Sequence, residues 1–380
     1  MSVDLQPGLR FRFDVAWNDG PLVANPTWTD VTADLIAVDV SRGRTNPTQT
    51  APAGGGTAVF DNQDGSYNPL VSNLDLLVPA KIQLDVTTGP NAGGATVWRG
   101  FIAGWTVRWS QAGKRSIAEA SLVDAFAVLQ LIFGGGTLYT STTTGARAND
   151  LLDDAGWPSA LRNIGALAAI QQSAHGCSPV VDALRVLEAT EGSFLHVDQH
   201  GRVAFPAVTT RDSASVAATF TTNPASTNPH FVVDEVRWSD DDLWNRIEIT
   251  PVDLSTVIAE DTTSQNNYAL RTLRIYDTLH PSTSDAQTLA NRLLDRYKAP
   301  RPYVPRLELL PAGDPEGVGV QVRDRDIETL IRVEHAGIAG GTFTQDLFIE
   351  GVQHQITADP PLWRTTWALS PYDVPQGGNF

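Results

Sequence analysis

Two stretches of this chain read as the same hairpin, and that repetition limits what the rest can fold into. The first runs from Ile82 to Val107, IQLDVTTGPNAGGATVWRGFIAGWTV. Ile82, Leu84 and Val86 alternate with Gln83, Asp85 and Thr87, the period of a half-buried strand. Asn91-Ala92-Gly93-Gly94 supplies residues that tolerate a turn. The return strand carries Trp98, Phe101, Ile102, Trp105 and Val107. The second stretch, Ile331 to Gln353, reads IRVEHAGIAGGTFTQDLFIEGVQ. Ile82-Gln-Leu-Asp matches Ile331-Arg-Val-Glu, Ala92-Gly-Gly matches Ala339-Gly-Gly, and Phe101-Ile-Ala-Gly matches Phe348-Ile-Glu-Gly. The Ala-to-Phe spacing is equal, from 92 to 101 and from 339 to 348. A duplication of this kind predicts two related β domains in one chain.

Length agrees, because 380 residues exceed one ordinary core and suggest two to three domains. The pattern divides them as 1–135, a first β domain; 136–238, an α/β insertion; 239–371, a second β domain with one long helix; and 372–380, a tail. In the first, Phe11, Phe13, Val15 and Trp17 form one strand face, and Ile36, Val38 and Val40 another. Thr57–Phe60 and Ser116–Leu122 read as strands, Gln111-Ala-Gly-Lys114 as a turn, and Val123–Ile132 as one or two helical turns. The insertion has a helix at Ala146–Ala155 stopped by Gly156 and Pro158. A second helix follows Ser178-Pro179, with Ser178 as cap and Gly192 past its end. A hairpin at Phe194–Phe205 turns at Gln199-His200-Gly201, and residues 209–229 read as loop or irregular strand. In the second β domain Asn245–Thr250 and Arg271–Tyr276 read as strands. Ser282–Lys298 reads as the longest helix, with Ala286, Leu289, Leu293 and Tyr297 on one face. Arg306–Leu310 and the Trp363, Thr365, Trp367, Leu369 face complete the strands.

Charge narrows the function. Lys and Arg total 27 against 43 Asp and Glu, a formal charge of −16. A chain this acidic is not built to grip phosphates, so no specific nucleic-acid binding is expected. With one cysteine, Cys177, no intrachain disulfide can form. No signal peptide is visible, and no apolar run reaches the ~20 residues of a membrane-spanning helix.

Two segments resemble a known family. Val40-Ser-Arg-Gly-Arg44 is followed by a Gly-Thr-Ala strand, Gly56–Ala58, and by the turn Asn62-Gln-Asp-Gly-Ser-Tyr-Asn-Pro69. This looks like the signature of minor tail proteins from siphophages of actinobacteria. Phe60 stands where Leu is commoner there, and Gln63 where Arg is commoner. The second segment, Asp150 to Phe205, is similar to hub proteins of phage tail tips. It combines a helix ending in Ala-Gly-Trp-Pro, the helix Val181–Ala189, and a hairpin with an Asp-x-x-Gly-Arg turn. Leu243–Ile249 and the helix at 284–298 resemble them too, so the likeness covers roughly residues 35–300. It implies a mainly β fold with an α+β insertion, namely two tube-like β-barrel domains and a small α/β domain. Such hubs are homotrimers whose six β domains match the sixfold tail tube above to threefold structures below. The implied partners are a distal tail or tail tube protein above, minor tail, spike or fibre proteins below, and a tape measure protein in the lumen. The implied location is the virion tail tip, assembled in the host cytoplasm, with a part in genome ejection. The −16 charge suits an acidic lumen through which DNA slides without sticking.

The alternatives are a sixfold distal tail ring and a carbohydrate-active tail enzyme using tryptophans as sugar platforms. Candidate chemistry in the sequence is thin. His196 and His200 with Asp198 have HxxxH spacing, but they straddle a turn, and structural zinc needs four ligands. His175-Gly-Cys177 is a weaker version of the same idea. Asp61 and Asp64 before Gly65 lack the calcium-loop spacing and suit a turn. Asp240-Asp241-Asp242, and Asp324 with Asp326, are carboxylate clusters of the sort glycosidases use, and also of solvated loops. Gly54–Gly56 and Gly134–Gly136 lack the Lys-Ser/Thr of a phosphate loop and read as flexible connectors. No catalytic, cofactor-binding or metal residue is assigned, and the chain is expected not to be an enzyme.

Overall fold

The computed structural model describes residues 3–72, 74–109, 116–134, 138–140, 142–174, 178–232, 235–338 and 341–372. The expected turn at Gln111–Lys114, His175, Cys177, Gly135, Gly136 and the tail from Pro375 lie outside these.

The longer strands of the first part are β1 (Val3–Gln6), β2 (Leu9–Val15), β3 (Leu35–Gly43), β4 (Gly55–Asp61), β5 (Val78–Val86), β6 (Gly93–Trp109) and β7 (Ser116–Val123), with the short Thr29–Asp30 strand pairing β2. Helices α1 (Ala125–Leu129), α2 (Thr144–Asp154) and α3 (Val180–Glu191) follow, then the hairpin β8 (His196–Val197) and β9 (Val203–Phe205). Next come β10 (Ala218–Thr221), β11 (Arg246–Pro251), β12 (Val257–Glu260), α4 (Thr262–Tyr268), β13 (Thr272–Thr278) and α5 (Thr283–Tyr297). The chain closes with β14 (Arg306–Leu309), β15 (Leu330–Ile338), β16 (Gly341–Ala358) and β17 (Pro361–Pro371). The architecture is mainly β with an α+β insertion, and its principal sheet has 13 strands curled as a half-barrel.

Alternation produces this sheet. Leu9, Phe11, Phe13 and Val15 of β2 are fully buried, as are Trp363, Thr365 and Trp367 of β17. One apolar core runs under both ends of the chain, joining Phe11 and Ile82 to Ile331, Ile349 and Trp367. A smaller, separate cluster lies where Ile247, Ile249, Val257 and Ala259 of the β12–β11–β13 sheet pack under Ala286, Leu289, Ala290 and Leu294 of α5.

Three local expectations change. Ile36 is 39% exposed, while Leu35, Val38 and Val40 are buried. The pairing of β3 with β4 shifts between Leu35 and Ala37, so a bulge at Ile36 turns that side chain outward. Ser178 is not a cap: it pairs with Gly134, and α3 starts after Pro179 with no side-chain cap bond. Its far end is as expected, with Gly192 left-handed at φ 70°. The Gly54–Gly56 run is not a flexible connector either. Gly55 and Gly56 begin β4, and a Cβ on Gly56 would sit 1.8 Å from the Asp39 carbonyl oxygen.

Candidate assembly site: the junction of two equivalent meanders

The repeated hairpins are two copies of one structural unit. β4-β7-β6-β5 and β14-β17-β16-β15 have the same strand order: each is an antiparallel three-stranded meander with the preceding strand added, Greek-key fashion, beside its last strand. The Phe-Ile-x-Gly motif is a β-bulge in both. Ile102 pairs Leu122 and Gly104 pairs Ser121, leaving Ala103 unmatched; Ile349 pairs Leu369 and Gly351 pairs Ala368, leaving Glu350 unmatched. Both Phe-Ile motifs also receive the same contact from the loop before the hairpin. Leu77 N–H donates to the Ile102 carbonyl (2.7 Å) and Glu328 N–H to the Ile349 carbonyl (2.8 Å). Leu77 and Glu328 are both non-glycine residues at positive φ, 57° and 73°. The other half of the sequence match is out of register. Phe101 lies opposite Pro79 and Phe348 opposite Leu330, so Ile82 corresponds to Val333 rather than Ile331.

The two units meet along β3 and β16. Beyond the bulge β16 leaves β15 and takes β3 on that edge, from Gly351 opposite Gly43 to Thr357 opposite Ala37. Asp39 accepts from Gln353 Nε2 (2.9 Å) and Gln355 Nε2 (3.0 Å). The Ser-Arg-Gly-Arg motif sits at the end of this seam. Arg42 pairs with Asp326, and Arg44 Nε donates to Glu350 Oε2 (2.9 Å). Gly43, at φ 85°, lies where a Cβ would meet the Glu350 carbonyl oxygen at 2.3 Å. Glu350, fully buried, also accepts from Arg211 Nη1 (2.6 Å) and from the Ser370 hydroxyl. Arg211 holds Glu328 as well, and its guanidinium lies 4.7 Å from the Phe348 ring centre.

These partners fix the charge states. Burial pushes the Glu350 carboxyl up, but Arg211 and Arg44 outweigh burial and hold it well below the ordinary range. Burial likewise raises Asp326, and Arg42, the Gln199 N–H and His196 bring it below normal. His354, beside this seam, stays neutral: burial first, then Arg42, lower its pKa from 6.5 to about 3. A depressed histidine pKa means that the unfolded chain binds the proton first, so stability falls as pH drops from 6.5 toward 3. Replacing His354 by Val, the residue at the equivalent position 107, is expected to flatten the urea midpoint between pH 6.5 and 4.5. Below that, the stability contributed by the Glu350 and Asp326 carboxylates is expected to be lost as pH falls through their lowered folded values. Asp124 acts oppositely. It caps α1 through the Phe126 N–H and accepts the Gly54 N–H, and burial pushes its carboxyl up to about 7. An acid with a raised pKa costs stability as pH rises from 3.8 to 7. Asp124→Ala is expected to lose about 1–2 kcal/mol through the cap, read by urea unfolding.

Other sequence candidates have local work. Asp198 accepts from the His200 and Arg202 N–H groups and from Arg202 Nε, holding the turn. His196 is buried, its Nδ1 3.0 Å from the Phe194 carbonyl oxygen. Asp61 and Asp64 accept from the N–H two residues on. In the same turn the Asn62 side chain accepts the Tyr67 N–H, and Tyr67 stacks on Phe60 at 4.8 Å. Asp240 pairs with Arg271, Asp241 with Ser239, and Asp324 with Arg323. Asp242 is half-buried near Tyr303, and burial raises its carboxyl. Trp98, Trp157, Trp363 and Trp367 are core residues, whereas Trp109 and Trp238 are exposed.

A further repeat, too faint to read in the sequence alone, lies outside the two hairpins. The segment after β10 bridges β14 at Val232–Glu308 and Arg237–Tyr303. That is the relation of β3 to β4, with Ala37 opposite Val59, so 232 corresponds to 37 and 237 to 42. The residues agree: Val38-Asp39-x-x-Arg42 and Val233-Asp234-x-x-Arg237.

No protein-family model and no curated protein matches the sequence. Solved structures do. The tail protein from Neisseria meningitidis MC58 superposes with a TM-score of 0.62 at 14% identity, over 95% of this chain and 96% of that one. The prophage MuSo2 43 kDa tail protein from Shewanella oneidensis gives 0.57 at 12% identity, over 96% and 99%. Nearly the whole chain therefore shares the fold of these two tail proteins.

Proposed function

We propose that this chain is a structural protein of a phage tail, the hub at its tip, and that it works as a homotrimer without catalysing a reaction. The observation that carries this reading is the intrachain junction. Two equivalent meanders are joined edge to edge in one curled sheet, as consecutive segments of a ring would be. Three chains then present six such units, matching a sixfold tube above and a threefold tip below. A closed ring also covers the sheet edges that a lone chain leaves open. The partners of this reading are a distal tail or tube protein on one face and spike, fibre or other minor tail proteins on the other. The fold likeness to the two tail proteins supports it.

Electron microscopy of the purified assembly, with its mass under native conditions, tests this. Threefold symmetry with a trimer mass is expected. A sixfold ring of six chains would replace the hub by the distal ring, and a monomer at every concentration would end both.

A further inference from the structure

Within the chain, the first meander lends strand β3 to the edge of β16 in the second. Its counterparts are both present and unjoined. The counterpart of that β16 edge is Gly104–Trp109 of β6, beyond the first bulge. Among the described residues no strand pairs it on the β5 side. The counterpart of β3 is the stretch that bridges β14 at Val232 and Arg237, in which Val232, Val236 and Trp238 are exposed.

We infer that Val232 and residues 235–238, beside β14 of the second meander in one chain, pair antiparallel with Gly104–Trp109 of a second copy. The strand-to-edge junction seen once inside the chain is thereby repeated between chains. This deepens the ring reading above and rests on it for closure of the ring.

Four independent comparisons agree. Gly351 is held glycine by the β3 end: its Cβ would lie 2.6 Å from the Arg44 carbonyl oxygen. Gly104 stands at the same place in the first motif, and a Cβ there meets nothing within 4 Å. Trp109 is 59% exposed, while its counterpart Ile356, under β3, is 1% exposed. Leu76 is 59% exposed, while its counterpart Ile327, against Gly43, is 5% exposed. Charge also matches. Arg42 inserts onto Asp326 inside the chain. Arg237 holds Arg42's place, and exposed Asp75, two residues before left-handed Leu77, holds the place of Asp326, two before left-handed Glu328. Between copies, Arg237 therefore meets Asp75 and Trp238 covers Leu76. The contact is heterologous, since a different surface is used on each side, and such contacts close into rings or run on as filaments.

The pairing Ser41–Gln353 translates to Val236 opposite Thr106. Directly opposed antiparallel residues lie about 4.5–5.5 Å apart, within disulfide reach. The test is Thr106→Cys with Val236→Cys in the full chain carrying Cys177→Ser, oxidised and weighed under native and denaturing conditions. A reducible covalent closed ring is expected, with neither single variant giving it. In parallel, Arg237→Asp and Asp75→Arg are each expected to weaken assembly by at least about tenfold, and the double variant to restore it. A ring of unchanged mass that does not cross-link and ignores the charge changes overturns this junction and leaves the ring reading intact. Cross-linked open filaments support the junction and overturn closure. A chain that stays monomeric and does not cross-link overturns both.

Discussion

Glu350→Gln is expected to cost the fold about 3–5 kcal/mol, the range for breaking a buried ion cluster by removing one partner. The substitution keeps the shape and removes the charge. Arg44 and Arg211 both point at this carboxylate, with side chains only 10% and 13% exposed. Glu328 remains for Arg211, and the Gln49 carbonyl oxygen accepts from Arg44 Nη1 at 3.0 Å, so neither guanidinium is wholly abandoned. Those contacts hold the loss to this range. The damage is specific in place. Glu350 is the unmatched residue of the second bulge, and its arginines come from the end of β3 and from the insertion. Losing it loosens the first meander, the second meander and the insertion at once. Urea unfolding followed by tryptophan fluorescence reads the loss. A midpoint unchanged from wild type at pH 7 would mean that the cluster does not hold the junction. Acid gives the same answer by another route. The carboxyl's depressed pKa means its contribution is complete above about 4.5 and is lost as pH falls through the folded value. The variant's unfolding is therefore expected to depend less on pH below 4.5.

Much of this was legible from residue order, and the reasons differ by element. Strands such as Leu9–Val15 and Pro361–Pro371 declare themselves because one face is buried and largely apolar while the other is mostly polar or partly exposed, so period two survives in the sequence. The helix at Thr283–Tyr297 carries its own cap, Ser282, and its own apolar face. The Phe-Ile-x-Gly match is real because a bulge imposes a local demand at one spot. The Ile82-Gln-Leu-Asp match is two places out of register, because alternating apolar residues look alike at every even shift. The junction could not be read. Arg42 and Asp326 are 284 positions apart, and Arg44 and Glu350 are 306 apart. No local rule links residues so distant. A signal for it did exist, in Val-Asp-x-x-Arg at 38–42 and again at 233–237. It becomes persuasive only once the bridges at Val232 and Arg237 supply the register.

Gly351→Val is expected to destabilise the chain by about 3 kcal/mol or more, whereas Gly104→Val is expected to leave its stability within about 0.5 kcal/mol. The two glycines hold the same position in the same motif, so sequence alone would score the substitutions alike. Their surroundings separate them. Beside Gly351 the backbone of Arg44 comes within 2.6 Å of where a Cβ would sit, with the Arg42 carbonyl oxygen at 3.3 Å. Backbone atoms cannot rotate away as a flexible side chain can, so the end of β3 must lift. Lifting it draws Arg42 from Asp326 and Arg44 from Glu350, and adds the cost of buried charges to that of the clash. Gly104 faces open space, and a β-branched residue on an uncovered strand suits the strand. Urea unfolding of both variants at high dilution, where chains are apart, measures this contrast. If Gly351→Val proves as mild as Gly104→Val, β3 does not hold tightly to β16, and the intrachain junction loses its standing as the pattern for contacts between chains.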